Sequence, residues 1–464
     1  MNIVRTFVIS FNKERQLKNN MHPQIKPLQP LKKKTFRKLI EENWRTPNKA
    51  ILQHLENTAV KGYPTIPNWS DFIQGKNEVE VYSTLAYYIL TKKLPLPSAK
   101  GTEENAQKLF HRYKYKTFSP FVHANDIDRE LTHRLTEILK YKHDYSDEYT
   151  LGYFPQYTRA NPISNYFAEH ERLQCEVINK ESPTFLWTEE HGVSRLMDTM
   201  RRIGVKKLNQ AAFKSFFAHA GQIASQFNVN TAKNIYNTAK GDVIFDISCG
   251  WGDRLTGFYL SEKSTYYGTD PNLNMFEIYK EMCKTYERWL GCENPAFLEG
   301  EDYFEIHGKK HVRIYNLPAE DVNYDELPNI DLTFSSPPYF NKELYGKDSQ
   351  AQDNQSWSRY VTQDAWLTDF LYKIMDSLIP KSRTTMINIT DVGRDKSRVN
   401  ICDPMVENYK DSFVGIAGFQ LSKNMNVKDD KNMFKKDTIY TEPIWTFGEP
   451  LVEKNRAKLL DFFT

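Results

Sequence analysis

The hydrophobic rhythm of the chain changes near residue 240. Before that point, apolar positions recur at three- and four-residue spacing over residues 77–91, 128–141 and 193–203, the period of helices with one buried face. Polar, proline-containing stretches join them. Beyond residue 240, short β-rich runs at 242–247, 265–269, 311–315, 331–335 and 384–389 alternate with helix-like stretches such as 275–290 and 363–378. This alternation predicts a parallel sheet covered by helices on both faces. Two more β-rich runs, 416–421 and 438–447, follow with no clear helix between them, which predicts an antiparallel hairpin at the sheet edge. The expected fold class is α/β: a mostly parallel, seven-stranded sheet domain over residues 221–464, preceded by a mainly helical domain over 31–220. The polar residues 1–30 read as a loose arm.

Composition narrows the function classes. Of 464 residues, 40% are hydrophobic and 26% charged, an ordinary globular balance that allows a large core. The net charge is only +3, so any contact with phosphates must come from local clusters rather than a global field. Five scattered cysteines without a C-x-x-C pair argue against a disulfide framework and against a four-ligand zinc site, and point to a reducing, cytoplasmic setting. No metal site is expected; His191, His219, His307 and His311 have no triad or metal-ligand spacing. No run of 18 apolar residues occurs, so no membrane partner is expected.

The first predicted strand of the second half runs into Ser248-Cys249-Gly250-Trp251-Gly252 and then a helix. Glycines at 250 and 252 let the backbone turn tightly and approach a ligand with no Cβ in the way. Asp246, at the strand's carboxyl end, is suited to accept from a ligand ammonium. The next strand ends in Asp270, close to the ~20-residue spacing of a carboxylate that grips ribose hydroxyls. Leu255 stands where a third glycine would be, which disfavours a dinucleotide.

These features resemble the Rossmann-like class I S-adenosylmethionine methyltransferases. The resemblance implies S-adenosyl-L-methionine as cofactor, with Asp246, Ser248, Cys249, Gly250 and Gly252 around its methionine part and Asp270 on its ribose. It also implies a third motif at Pro318-Ala319-Glu320-Asp321, with Asp321 near the adenine amino group. The segment from Phe227 to Ala232 is similar to the one that caps the methionine end in amino-methyltransferases, which makes Phe227 a further candidate.

The fourth predicted strand opens into Ser336-Pro337-Pro338-Tyr339-Phe340. Two prolines fix φ and supply no N–H, so this backbone cannot join a regular ladder and its carbonyls are free for a substrate. An exocyclic base amine is a poor nucleophile because its lone pair is delocalised into the ring. Two acceptors on its N–H groups, the Ser336 hydroxyl and the Pro337 carbonyl, would draw the nitrogen toward tetrahedral geometry for in-line attack on a methyl group. Tyr339, and also Phe340, could stack on a base flipped out of a duplex. Ser336, Pro337, Pro338 and Tyr339 are therefore the candidate catalytic residues.

The turn resembles the fourth motif of DNA amino-methyltransferases, which make N4-methylcytosine or N6-methyladenine. Serine at the first position is the cytosine form, whereas the order of motifs is less typical of that group, so the base stays open. The resemblance covers residues 225–450 and implies DNA as partner; a partner restriction nuclease is compatible with it and not deducible. Methylation at cytosine C5 is disfavoured, since no Pro-Cys dipeptide exists. Two rivals stand: an RNA-base enzyme acting on guanine N2, and a non-enzymatic nucleic-acid-binding protein. Basic-aromatic clusters at 32–38, 111–116 and 153–159 make the N-terminal half the candidate DNA reader. The polar loop 341–358, with Tyr345 and Trp357, could cover a flipped base.

Overall fold

A computed structural model describes residues 32–97, 101–117, 121–133, 149–156, 160–177, 180–221, 223–340, 343–344, 352–391, 399–421 and 438–451. Its centre is one mixed sheet of twelve strands. In chain order they are β1 (Val122–His123), β2 (Glu130–His133), β3 (Thr150–Phe154), β4 (Val243–Asp246), β5 (Thr265–Thr269) and β6 (Ala296–Glu299), then β7 (Tyr303–His307), β8 (His311–Tyr315), β9 (Ile330–Ser335), β10 (Ser382–Asn388), β11 (Phe413–Gln420) and β12 (Thr438–Gly448). They lie in the order β1-β3-β11-β12-β10-β9-β4-β5-β8-β7-β6, with β2 also on β12.

The central strands β8, β5, β4, β9 and β10 are all parallel. They are short and apolar because both faces are covered. Successive residues go to opposite cores: Ile244, Tyr266, Ile314, Met386 and Ile444 to one, and Phe245, Tyr267, Tyr315, Ile387 and Trp445 to the other. The first core holds helices α2 (Val229–Thr238), α3 (Asp253–Leu260) and α4 (Leu273–Trp289), and the second the helical stretch from Gln363 to Leu378. From β4 the chain builds outward through β5 to β8, then returns to β9 on the other side. The crevice between the carboxyl ends of β4 and β9 is therefore a topological switch point, where open α/β sheets bind ligands.

The sheet is wider than the seven strands expected. Two of the added strands, β6 and β7, form antiparallel hairpins that extend the β8 edge. The other three come from the N-terminal half. Residues 128–141 have helical spacing, yet β2 begins there and pairs in parallel with Thr438–Thr441; residues 134–141 lie outside the described set. The expected final hairpin forms, but inside the sheet: β12 is antiparallel to β10 and β11, and β3 pairs with β11 beyond them.

The N-terminal half is thus not one helical body. Helices including Lys33–Asn43, Glu78–Lys92, Glu190–Ile203 and Gln210–Ala220 share a core of their own around Phe36, Leu55, Trp69, Leu85, Leu196 and Phe213. Asn48, Asn77 and Asn209 cap three of these helices by accepting from backbone N–H groups of the first turn. Residues 106–175 instead contribute Phe110, Phe154, Phe167 and others to the core of the sheet domain. The intervening helix α1 (Pro162–Gln174) packs against α4. The cluster at 111–116 faces inward in part: Tyr113 is buried, and Lys114 Nζ donates to the Ser261 carbonyl. Among the described residues, no helix is long and apolar enough to cross a membrane.

Candidate active site

A cavity of about 580 Å³ occupies the switch-point crevice. Its walls carry Phe227, Ser248, Cys249, Gly250 and Asp270 from the first motifs, and Ser336, Pro337, Pro338 and Tyr339 from the proline turn. The sequence brings these together because β4, β5 and β9 all release their loops at the same edge.

Beneath the cavity, Asp246 is fully buried and saturated. Its Oδ2 accepts from Arg254 Nε and the Tyr266 hydroxyl, each at 2.8 Å, and its Oδ1 from Ser335 Oγ at 2.8 Å and Ser248 N–H at 3.2 Å. A carboxylate has about four acceptor sites, and all are taken. Asp246 ties β4, β5, β9 and α3 together and does not reach the cavity, in place of the expected contact with a ligand ammonium. Arg254 also donates to the Ser248 carbonyl, which fixes the loop from a second side. Gly252 is likewise structural. Its φ is +75°, and a Cβ there would sit 2.6 Å from Met282 Cε. Gly250, at φ +59°, has no atom closer than 3.8 Å to that position, so the space above it is open, while its N–H is held by Asp270 and its carbonyl by the Tyr279 hydroxyl. The Cys249 thiol is buried against Gly268, and burial pushes its pKa well up, so it is a packing group.

Asp270 does face the cavity. It accepts from Gly250 N–H at 2.9 Å, Asn272 N–H at 3.0 Å and the Tyr279 hydroxyl at 3.1 Å, while burial lifts its pKa to about 6. Three of about four acceptor sites are filled, which leaves room for a ligand hydroxyl. Asp253, at the first turn of α3, also lines the wall. It accepts from Ser164, Gln226 and Asn161, and burial raises its pKa to about 7. Through it, α1 is fastened to the first turn of α3, next to the loop at 248–252.

At the far side of the pocket, Asp321 departs from expectation. It is exposed, pairs with Arg359 Nη1 at 2.7 Å, and does not line the cavity. Its neighbour Glu320 does. Glu320 is buried, takes the Tyr360 hydroxyl on Oε1 at 2.5 Å with Arg359 Nη1 3.2 Å from the same oxygen, and among the described residues leaves Oε2 without a partner. Gln355, also buried on the same wall, likewise leaves Nε2 without a partner among the described residues. Phe370 completes this end; it is presented by a π-helical turn, Trp366–Tyr372, within the expected helix at 363–378.

The proline turn is rigid. Phe340 has φ +52°, an uncommon conformation for a ring-bearing residue. It is buried against Trp366, so it packs rather than offering a face to a base. The Tyr339 hydroxyl donates to Glu442 Oε1 at 2.5 Å, with the Asn388 carbonyl 3.2 Å from the same oxygen. Burial pushes its pKa well above that of a free phenol. Phe227 stacks on Phe419 at 5.2 Å, with the Arg254 guanidinium 5.6 Å from its ring centroid.

Sequence reasoning missed Arg254, Glu320, Gln355, Phe370 and Glu442. Glu442 carried a signal, being the single charged residue within β12. Gln355 and Phe370 carried none, since a coil residue and a π-turn leave no periodic trace. Tyr345 lies outside the described residues, as do 134–148 and 157–159. His307 and His311, which have no ligand spacing in sequence, meet through β7–β8 pairing, and both Nε2 atoms contact Glu305 Oε1 at 2.8 and 2.6 Å. Arg313 already neutralises that carboxylate, and the cluster lies away from the crevice. No protein-family model and no curated protein matches this sequence.

Proposed function

We propose that this chain is an S-adenosylmethionine-dependent methyltransferase acting on an exocyclic amino group of a DNA base. The observation that carries the reading is the convergence of two sequence-distant motifs on one cavity: the loop at Gly250 with Asp270, and the turn at Ser336–Tyr339. The cavity volume lies in the usual range for a cofactor-sized ligand.

The residues present fit that cofactor. Glu320 Oε2 and Gln355 Nε2 are a buried acceptor and a buried donor, each lacking a partner among the described residues. Adenine offers the complement, an amino N–H beside a ring nitrogen. Such buried groups cost roughly 1–3 kcal/mol each when left unpaired, which favours a ligand that satisfies them. Glu320 takes the role the sequence suggested for Asp321. Asp270 has capacity for a ribose hydroxyl, and the unobstructed space beside Gly250 admits the methionine portion.

When bound, the cofactor supplies an electrophilic sulfonium methyl. The chain supplies the rest. Ser336 Oγ and the Pro337 carbonyl accept the amine N–H groups and expose the nitrogen lone pair, and Tyr339 bounds the base site. A duplex base reaches this depth only by flipping out of the stack.

The test is transfer of labelled methyl from S-adenosylmethionine to unmodified DNA, read in base hydrolysates. Ser336→Ala should lower kcat by roughly 10²-fold, the scale of removing one preorganised dipole, while cofactor binding stays intact. Label unaffected by this change overturns the mechanism, and label in RNA alone overturns DNA as substrate. Mass spectrometry of the product nucleoside separates cytosine N4 from adenine N6.

A further inference from the structure

Methylation of an amine leaves one proton too many on nitrogen. The Ser336 hydroxyl and the Pro337 carbonyl accept hydrogen bonds but are too weakly basic to keep that proton, so the proposed reaction needs a further acceptor. The cavity holds one beside the proline turn. Tyr339 donates to Glu442 Oε1 at 2.5 Å, and the Ser336 side chain lies within hydrogen-bonding reach of the same phenol. The three side chains form a chain: hydroxyl, phenol, carboxylate.

The fold holds this chain in place. β12 runs antiparallel to β10, with Ile444 opposite Asn388, so Glu442 projects past the end of β10 toward the turn after β9. Its cross-strand partner is Phe419, which stacks on Phe227 in the same cavity wall. The Asn388 carbonyl contacts Tyr339 at 3.2 Å and so orients the phenol. Glu442 and Tyr339 are both half-buried, and desolvation keeps the phenol protonated.

We propose that Glu442 is the terminus of a proton relay, Ser336 to Tyr339 to Glu442, that carries the amine proton from the methylated base to solvent. The proposal rests on the methyltransferase reading above. The amine nitrogen forms its bond to the methyl carbon as the carbon–sulfur bond breaks, and that electron pair stays on sulfur. The nitrogen then carries a positive charge. Its proton passes to Ser336 Oγ while the Ser336 proton moves to Tyr339 Oη and the Tyr339 proton moves to the Glu442 carboxylate. Ser336 and Tyr339 end as they began. Glu442 ends neutral and re-ionises to water, so the net products are a neutral methylamine and one proton. Glu442 acts through Tyr339 and is a positioning residue, not one that touches the reacting atoms.

The experiment uses the full chain with labelled S-adenosylmethionine and unmodified DNA. Glu442→Gln keeps the acceptor for Tyr339 but cannot take a proton, and Tyr339→Phe keeps the ring but cuts the chain. Each should lower kcat by at least ~10²-fold, the scale of general acid–base catalysis. KM, cofactor affinity by calorimetry and the melting temperature should stay near those of the parent. The double variant should be no slower than either single, because two breaks in one relay do not multiply. Glu442→Asp should recover much of the rate lost in the Gln variant. Parent-level turnover by Glu442→Gln, or multiplicative losses in the double variant, would overturn the relay. Absence of transfer by the parent would overturn the underlying reading instead, so the two failures are distinguishable.

Discussion

Asp246 and Asp270 end adjacent parallel strands, and both are buried, yet only one faces the cavity. Asp246 receives four donors, one of them an arginine; Asp270 receives three donors and no cation among the contacts described. The same contrast separates Gly252, jammed against Met282, from Gly250, which has open space above it. The floor of the crevice has spent its valences on holding strands together, and the wall has kept some in reserve. Burial and position at a strand end therefore do not identify a ligand contact. The unfilled hydrogen-bonding capacity does.

The largest way to break this contrast is at the floor. Arg254→Ala leaves the Asp246 carboxylate buried without its cation, and removing one partner of a buried pair typically destabilises by about 3–5 kcal/mol. Denaturant unfolding should read that loss with or without ligand. At the wall the effect moves from stability to affinity. Glu320→Ala should weaken S-adenosylmethionine binding about 10- to 100-fold by calorimetry, the scale of one charge-assisted hydrogen bond.

A smaller effect depends on pH. The folded-state pKa of Asp253 is about 7, raised by burial, against about 3.9 for an unfolded aspartate. Between those values the unfolded chain binds fewer protons, so stability falls as pH rises through the interval and levels off above it. Raising the pKa from about 3.9 to about 7 corresponds to a penalty of about 4 kcal/mol at pH 8. Asp253→Asn removes it but accepts the bonds from Ser164, Gln226 and Asn161 more weakly, so the net gain should be about 1–2 kcal/mol at pH 8 and almost nothing near pH 4. A parent and variant with parallel stability–pH curves would refute this account of Asp253. The smallest effect sharpens the contrast between neighbours: Asp321→Asn, at an exposed ion pair, should change cofactor affinity less than twofold.

The central sheet was legible because its strands are buried on both faces and flanked by turn residues, a pattern that survives in a single sequence. The boundaries at Thr265–Thr269 and His311–Tyr315 coincide with the expected runs. β6 and β7 were not legible. β6 is a largely exposed edge strand, and β7 carries Glu305 and His307 among its apolar residues, so neither gives a clean alternation. β2 misled in part: Glu130–His133, inside the helically spaced run 128–141, form a strand paired with β12 far away in the chain, while 134–141 lie outside the described residues. In the candidate site, residues in turns with special backbone chemistry were legible: Gly250, Ser336, Pro337, Pro338 and Tyr339. Asp246, Gly252 and Asp321 sit beside cavity-lining residues but do not line the cavity themselves, because whether a side chain ends on the floor, in the wall or in solvent depends on partners that spacing does not encode.

The pairing of β3 with β11 also sets a clock on the protein's birth. The Gln156 amide is bonded to the Gln420 side chain across 264 positions. At ~5–20 residues per second, a ribosome finishes β3 on the order of 10–50 s before its partner strand exists. Throughout that interval the apolar residues of β3, Leu151 and Phe154, lack their final cover, and the strand has an open edge. Synthesis of this protein should therefore lean on chaperones more than its ordinary composition suggests. Slowing the ribosome between these two segments should lower the yield of native chain more than slowing it after β12.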